Sequence, residues 1–259
     1  MPDDRVFLNH LADALFDLPA VEAVALGGSR VYGDPGPETD WDLSIYYRGA
    51  FDPDDLRALG WPGEISPLGG WGGGVFNGGA WLTVDGRRVD VHYRDLDDID
   101  RILRESEDGI FQIEPLMFHI AGIPSYLLLA ELAESVCLRG ELTVPDFPTA
   151  LRDRASRTWR NHAEMLFDYA EKGHAANGRT LQALGLAAVA VTCAAHAVLA
   201  AKRRWVTNEK RILGLAGLDD VDDLLHATDG IDVSRLVRVL HDRCARAMDD
   251  AMSCQPGSG

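Results

Sequence analysis

Basic residues are scarce in this chain. Its 259 residues include 25 lysines and arginines against 41 aspartates and glutamates, a formal net charge of −16. A field of that sign repels polyanions and attracts cations, which argues against extended nucleic-acid binding and permits a positively charged small molecule as partner. Cysteine is scarce as well. Cys137, Cys193, Cys244 and Cys254 form no C-x-x-C pair, so neither a disulfide framework nor a structural zinc site is expected. The N-terminus, MPDDRVF, has acids where a secretory leader needs bases, so no signal peptide is read there and a cytoplasmic location is expected. The glycine-dense stretch from Pro62 to Gly79 does not match G-x-G-x-x-G between a strand and a helix, which excludes a dinucleotide fingerprint. It reads as a loop or loosely paired hairpin, either a plain surface connection or a mobile flap near the active site.

Long apolar runs are also few. The one that raises a membrane question is Leu181 to Ala201, but it is alanine-rich, includes Gln182 and His196, and ends in Lys202-Arg203-Arg204. A buried central helix is the expected reading and a membrane span is not.

The pattern along the chain changes once. Before about residue 125, Val6, Leu8, Leu11, Leu15 and Leu18 fall at near-helical spacing, Val21 to Leu26 has strand composition, and Asp42 to Tyr47 continues as a strand. Trp81 to Val84 and Arg87 to Tyr93 flank Asp85-Gly86, the strongest short hairpin signal. From Pro148 onward the spacing is helical over Leu151–Glu171, Thr180–Arg203, Glu209–Leu215 and Val233–Met252, with breaks at Gly173, Asn177-Gly178 and Asp229-Gly230. This predicts an α/β domain over residues 1–125, an all-α domain over 126–254, and a disordered tail at 255–259. Glu164 and Asp168, four apart on a helix, read either as a cation site or as a solvated face.

The chemistry concentrates in the first half. Val21 to Leu26 stops at Gly27-Gly28, and the run Gly27-Gly28-Ser29-Arg30-Val31-Tyr32-Gly33 supplies a sharp turn into a helical turn. Backbone N–H groups at such a turn, with the Ser29 hydroxyl, suit phosphate oxygens. After ten intervening residues come Asp40-Trp41-Asp42. Two apart on a strand, these carboxylates project to one side, where their repulsion calls for a cation. Hard oxygen ligands suit Mg²⁺, which takes its remaining ligands from water and substrate phosphates. On the hairpin strand Val89, Val91 and Tyr93 alternate with Asp90 and His92, which makes Asp90 the candidate third acid.

Glycine-serine, a spacer, Asp-x-Asp and a later strand acid form a pattern that resembles the DNA polymerase β-like nucleotidyltransferase superfamily. With the helical second half, the chain resembles the two-domain antibiotic (aminoglycoside) nucleotidyltransferases. The resemblance implies an α+β fold, a catalytic domain with a mixed sheet followed by an all-α bundle. It implies that Asp40, Asp42 and Asp90 hold two Mg²⁺ ions or serve catalysis, and that Gly28, Ser29 and Arg30 bind ATP or another nucleoside triphosphate. In Lys202-Arg203-Arg204-Trp205-Val206-Thr207-Asn208-Glu209-Lys210-Arg211, Lys210 matches a phosphate-contacting lysine, with Thr207 or Asn208 as helix N-cap. The implied reaction moves AMP from ATP onto a hydroxyl of a small, cationic acceptor such as an aminoglycoside-like antibiotic. Two alternatives stay open, a protein-modifying (AMPylating) antitoxin-type enzyme and a decayed nucleotide-binding module. RNA tailing is disfavoured by the charge.

Overall fold

The computed structural model describes residues 2–31, 36, 39–226 and 232–253. The chain forms α1 (Pro2–Phe16), β1 (Val21–Leu26), a single 3₁₀ turn (Ser29–Val31), β2 (Trp41–Tyr47), α2 (Pro53–Arg57), β3 (Gly63–Ile65), β4 (Gly79–Val84), β5 (Arg87–Asp95) and α3 (Leu96–Glu107). Then follow β6 (Ile113–Leu116), β7 (His119–Pro124), α4 (Leu127–Glu134) and β8 (Val136–Gly140). The remainder is helical, with α5 (Thr149–Asp168), α6 (Thr180–Ala201), α7 (Ile212–Ala216), α8 (Val221–His226) and α9 (Val233–Ser253). The fold is α+β. Tyr32, Gly33, Cys254, the break expected at Asp229-Gly230 and the tail Gln255–Gly259 lie outside the described residues.

Two compact units share the chain, one running to Arg104 and again over Ser125–Asp146, the other comprising Glu105–Pro124 and everything from Phe147 onward. This differs from the single break at 125/126 that the pattern suggests. The reason is long-range pairing. Strand β8 hydrogen-bonds to β1, with Ala25 opposite Cys137, so the segment after residue 125 completes the sheet rather than opening the bundle. Hairpin β6–β7, in turn, is fastened inside the helical unit.

The sheet unit is built on one mixed sheet, in the order β3-β4-β5-β2-β1-β8. Strands β2 and β5 run parallel and the other pairs antiparallel. Asp85 and Gly86 both have positive φ, 49° and 74°, as a tight two-residue hairpin requires. Strand alternation sorts the two faces. Leu43, Ile45, Val89, Val91, Tyr93 and Leu82 are buried on one side in a core shared with Phe7, Leu11 and Leu15 of α1. Among the N-terminal positions expected to face the core, Val6 is instead 68% exposed. Counting back in steps of four from Leu15 and Leu11 reaches Phe7, which packs edge-on against Trp41 with ring centroids 5.3 Å apart.

A buried ion pair ties α4 to the sheet. The Arg94 guanidinium, 1% exposed, donates to both carboxylate oxygens of Glu131, with Nη2 2.9 Å from Oε1, and to the carbonyl of Tyr93. Nη2 also lies 3.0 Å from His92 Nδ1. Because arginine only donates, Nδ1 is the acceptor there and the His92 proton sits on Nε2.

In the helical unit, α6 is long and apolar enough to span a membrane by composition, yet 72% of its most apolar window is buried. It packs on α5 and α9, and His196 stacks on Trp159 at 4.5 Å. Gly173 does not break the bundle, since α5 continues as a π-helical turn over Tyr169–His174, and the stop comes at Gly178, with φ of +68°. Glu164 lies 2.6 Å from His241, and Asp168 pairs with Lys172. Both carboxylates are thereby answered by this chain's own basic side chains. The segment expected to be helical from Glu209 begins its helix only at Ile212, with Arg211 as the cap residue. Asn208 accepts the Lys210 N–H at 3.0 Å, a local turn rather than a helix cap. Glu209 leaves the helix register because its carboxylate is used elsewhere. It accepts the N–H groups of Ile120 and Ala121 in β7, and His196 Nε2 is 3.5 Å away.

Removing one partner of the buried pair strands the other charge. Glu131→Ala is expected to destabilise the protein by about 3–5 kcal/mol in urea unfolding, and the double change Arg94→Met, Glu131→Leu to recover most of that loss. A single variant as stable as wild type contradicts the account.

Candidate active site

Strand β1 ends where its partner's first acid begins. The Gly27 N–H donates to the Asp42 carbonyl at 2.8 Å, closing the ladder, and Gly28 then adopts φ of +66°. A Cβ on Gly28 would sit 1.8 Å from Asp42 Oδ2. Glycine is therefore required twice, for its left-handed backbone and for the space the carboxylate fills. The chain turns at once into Ser29–Val31, leaving Gly28 and Ser29 exposed beside Asp42.

Register does the rest. Asp42 is directly opposite Asp90 in the parallel pair β2–β5, and Asp90 is directly opposite Trp81 in the hairpin β4–β5. Trp81 in turn faces Glu64 of β3. Residues opposite one another share a face, so Glu64, Trp81, Asp90 and Asp42 form one row across four strands, on the side away from the core. Adjacent strands are about 4.8 Å apart, which places the two aspartates within reach of one cation.

The electrostatics show the crowding. Burial, then the charges of Asp42 and Asp40, push the Asp90 carboxyl from 3.8 up to about 6, against a lowering influence from Arg88. Asp40, just before β2, has Arg88 Nε 2.7 Å from its Oδ1. Nearby, burial and the Arg94 charge bring the His92 imidazole down to about 4, so it is neutral at pH 7.

Among the described residues, no three His, Cys, Asp or Glu side chains close around a point as a protein-only metal cage. The paired acids nonetheless fit a hard divalent ion of the kind that takes one or two protein carboxylates and completes its shell from phosphates and water. Asp42 and Asp90 offer oxygen donors side by side, with the Asp90 carboxyl held above its ordinary value by burial and by the neighbouring carboxylates.

The remaining expected residues are placed differently. Arg30 is engaged by its own chain, donating to the carbonyls of Thr39 and Asp40 while its guanidinium covers the Trp41 ring at 3.9 Å. Its work is to shape the approach to β2. Lys210 lies in the helical unit, exposed. The glycine-rich stretch, read as a plain connection or a flap, is folded back onto the sheet. Trp71 stacks on Trp81 at 4.7 Å and meets His92 edge-on at 5.8 Å. The Trp71 ring occupies the space 2.4 Å from where a Gly79 Cβ would be. Trp81 was legible in principle, because the Asp85-Gly86 turn dictates that it faces Asp90, whereas Arg88 meets Asp40 only through the long-range pairing of β2 with β5. Trp71 carries no such signal.

A raised acid favours the fold while protonated and costs stability as pH rises from its ordinary value through its folded one. Asp90→Asn should therefore raise the Tm of the metal-free protein more at pH 7 than at pH 4, with the gain growing up to about pH 6 and flat above it. An equal gain at both pH values in differential scanning calorimetry would sink the assignment of crowding.

No protein-family model and no curated protein matches the sequence. Among solved structures, the chain is similar to a nucleotidyltransferase-like protein from Exiguobacterium sibiricum 255-15, at 11% identity over 94% of this chain and 75% of that one, with a TM-score of 0.46. It is similar to the spectinomycin adenyltransferase AAD(9) from Enterococcus faecialis, a structure with ATP and spectinomycin, at 11% identity over 95% and 99% and a TM-score of 0.37. It is similar also to an aminoglycoside 6-adenyltransferase from Bacillus subtilis, at 10% identity over 96% and 90%, with a TM-score of 0.31.

Proposed function

We propose that this protein is a metal-dependent nucleotidyltransferase that moves a nucleoside monophosphate, AMP from ATP, onto a hydroxyl of a small-molecule acceptor. The observation that carries the reading is Asp42 in register with Asp90, with Gly28 pressed against the Asp42 carboxylate. The turn that we read as phosphate-binding thus lies beside the acidic pair.

In this reading the triphosphate lies along the Gly28-Ser29 turn, its terminal phosphates taking hydrogen bonds from the Ser29 hydroxyl and the turn's backbone. Asp42 and Asp90 would hold Mg²⁺, with Asp40 the further ligand once it parts from Arg88. Such ions, when bound, neutralise the charge that develops on the α-phosphate and on the leaving pyrophosphate. Asp90, at the edge of the cluster away from the turn, takes the proton of the acceptor hydroxyl. The acceptor oxygen bonds to the α-phosphorus, the bond from that phosphorus to the bridging oxygen breaks, and pyrophosphate departs with the electron pair. Neutral His92 and the buried Arg94–Glu131 pair hold β5, and so Asp90, in place.

The test is transfer of label from α-³²P-labelled ATP, GTP, CTP and UTP to hydroxylated antibiotics in the presence of Mg²⁺. Asp42→Asn should lower transfer by on the order of 10²–10³-fold while the metal-free Tm holds or rises. Binding of Mg²⁺ should weaken as pH falls through about 6, because the ion must displace the Asp90 proton. Unchanged turnover in Asp42→Asn overturns the proposal. Label appearing on a protein or an RNA instead of a small molecule would redirect it.

A further inference from the structure

Resting on that reading, we infer that Arg88 is a resident counter-cation, which closes the Asp40 half of the acidic cluster in the nucleotide-free protein and yields it only to an ion that arrives with a polyphosphate. The geometry starts one rung before the Asp42–Asp90 pair. Trp41 is opposite Val89 at the start of the parallel ladder, so the residues just outside it, Asp40 and Arg88, come side by side. Residues two apart on a strand share a face, which puts both on the same side of the sheet as Asp42 and Asp90. Three carboxylates and one guanidinium thus occupy two neighbouring rungs, about 6–7 Å apart along the strands.

The guanidinium covers the carboxylate without being locked to it. Asp40 Oδ1 is shut off from solvent with Arg88 Nε 2.7 Å away, yet among the described residues it accepts no hydrogen bond of good geometry. Other arginines of the sheet unit are seated differently. Arg87, Arg94 and Arg101 each donate a hydrogen bond to a carboxylate. Arg88 is held at Asp40 by charge rather than by direction, with its side chain 64% exposed, and an exposed pair of that kind contributes little to stability. Asp40 is fixed independently. Arg30 donates to the Thr39 and Asp40 carbonyls and lies over Trp41, so the carboxylate keeps its rung when the guanidinium swings out. The Arg88 charge also acts to lower the Asp90 carboxyl, so one side chain serves both rungs.

The chemistry of the two rungs sets the order of loading. Asp42 and Asp90 face each other, and a divalent ion by itself can settle between them. At Asp40 an ion must displace a cation that already stands there, and a bare ion offers the guanidinium nothing in exchange. A polyphosphate does. Its oxygens accept from a guanidinium in the bidentate manner that suits arginine, so Arg88 passes from carboxylate to phosphate as the ion takes its place on Asp40. Arg88 is a positioning residue in this exchange and takes no part in making or breaking bonds.

The test counts Mn²⁺, standing in for Mg²⁺, by electron paramagnetic resonance of the free ion, in the full-length protein with and without α,β-methylene-ATP and against the same analogue in buffer. Wild type is expected to hold one ion alone and two with the analogue. Arg88→Gln should hold two without the analogue, and Arg88→Gln combined with Asp40→Asn should return to one. Arg88→Lys, which keeps the charge, should load as wild type. So should Arg87→Gln, which removes the same charge from the other face of β5 and separates displacement at Asp40 from a change of net charge. A single ion in nucleotide-free Arg88→Gln, two ions in nucleotide-free wild type, one ion in wild type with the analogue bound, or an equal gain in Arg87→Gln overturns the inference and leaves the nucleotidyltransferase reading standing. A wild type that binds neither Mn²⁺ nor the analogue overturns that reading, and the inference falls with it.

Discussion

The register of β2 against β5 is the constraint on which the rest of the site depends. A slip of one residue would turn either Asp42 or Asp90 into the core and bring its strand's apolar neighbours to the surface, because strand side chains alternate with a period of two. The apolar series Trp41, Leu43, Ile45 and Tyr47 on one strand and Val89, Val91 and Tyr93 on the other are all buried on the same side. Hydrophobic burial on the far face thus holds two acids together on the near one. The repulsion that results is small against the burial of seven large side chains, each contributing about 1.5–3 kcal/mol.

The near face is managed by charge. Arg94 and Glu131 are buried and satisfy each other, with His92 kept neutral as an acceptor beside them. Farther along, Arg88 stands on Asp40. Asp42 and Asp90 face each other across β2 and β5, and burial together with the neighbouring carboxylates holds the Asp90 carboxyl above its ordinary value.

The helical unit shows how one residue can settle a local conformation against its propensity. Glutamate is a good helix former, yet Glu209 sits outside α7 because its carboxylate takes two backbone N–H groups of β7. Charge-assisted bonds of this kind are worth roughly twice a neutral one, enough to outweigh a single residue's helical preference. Burial offsets part of the benefit, but the hydrogen bonds and His196 still hold the Glu209 carboxyl below its ordinary value.

By itself the sequence determined what is local or periodic. Asp85-Gly86 dictated the hairpin and hence that Trp81 faces Asp90. Alternation put Asp90 and His92 on the polar side of β5. Gly27-Gly28 announced the turn, and the composition of Leu181 to Ala201 announced a core helix. Tertiary structure alone decided what depends on partners distant in the chain. It returned β8 to the sheet beside β1, chose Phe7 over Val6 for the core, laid Arg30 over Trp41, and tied Glu209 to β7. It also carried Trp71 across a glycine-rich loop to its place on Gly79. The physical reason is that a period or a turn is written in neighbouring residues, whereas a long-range contact exists only once two surfaces have met, and no single stretch of sequence contains both.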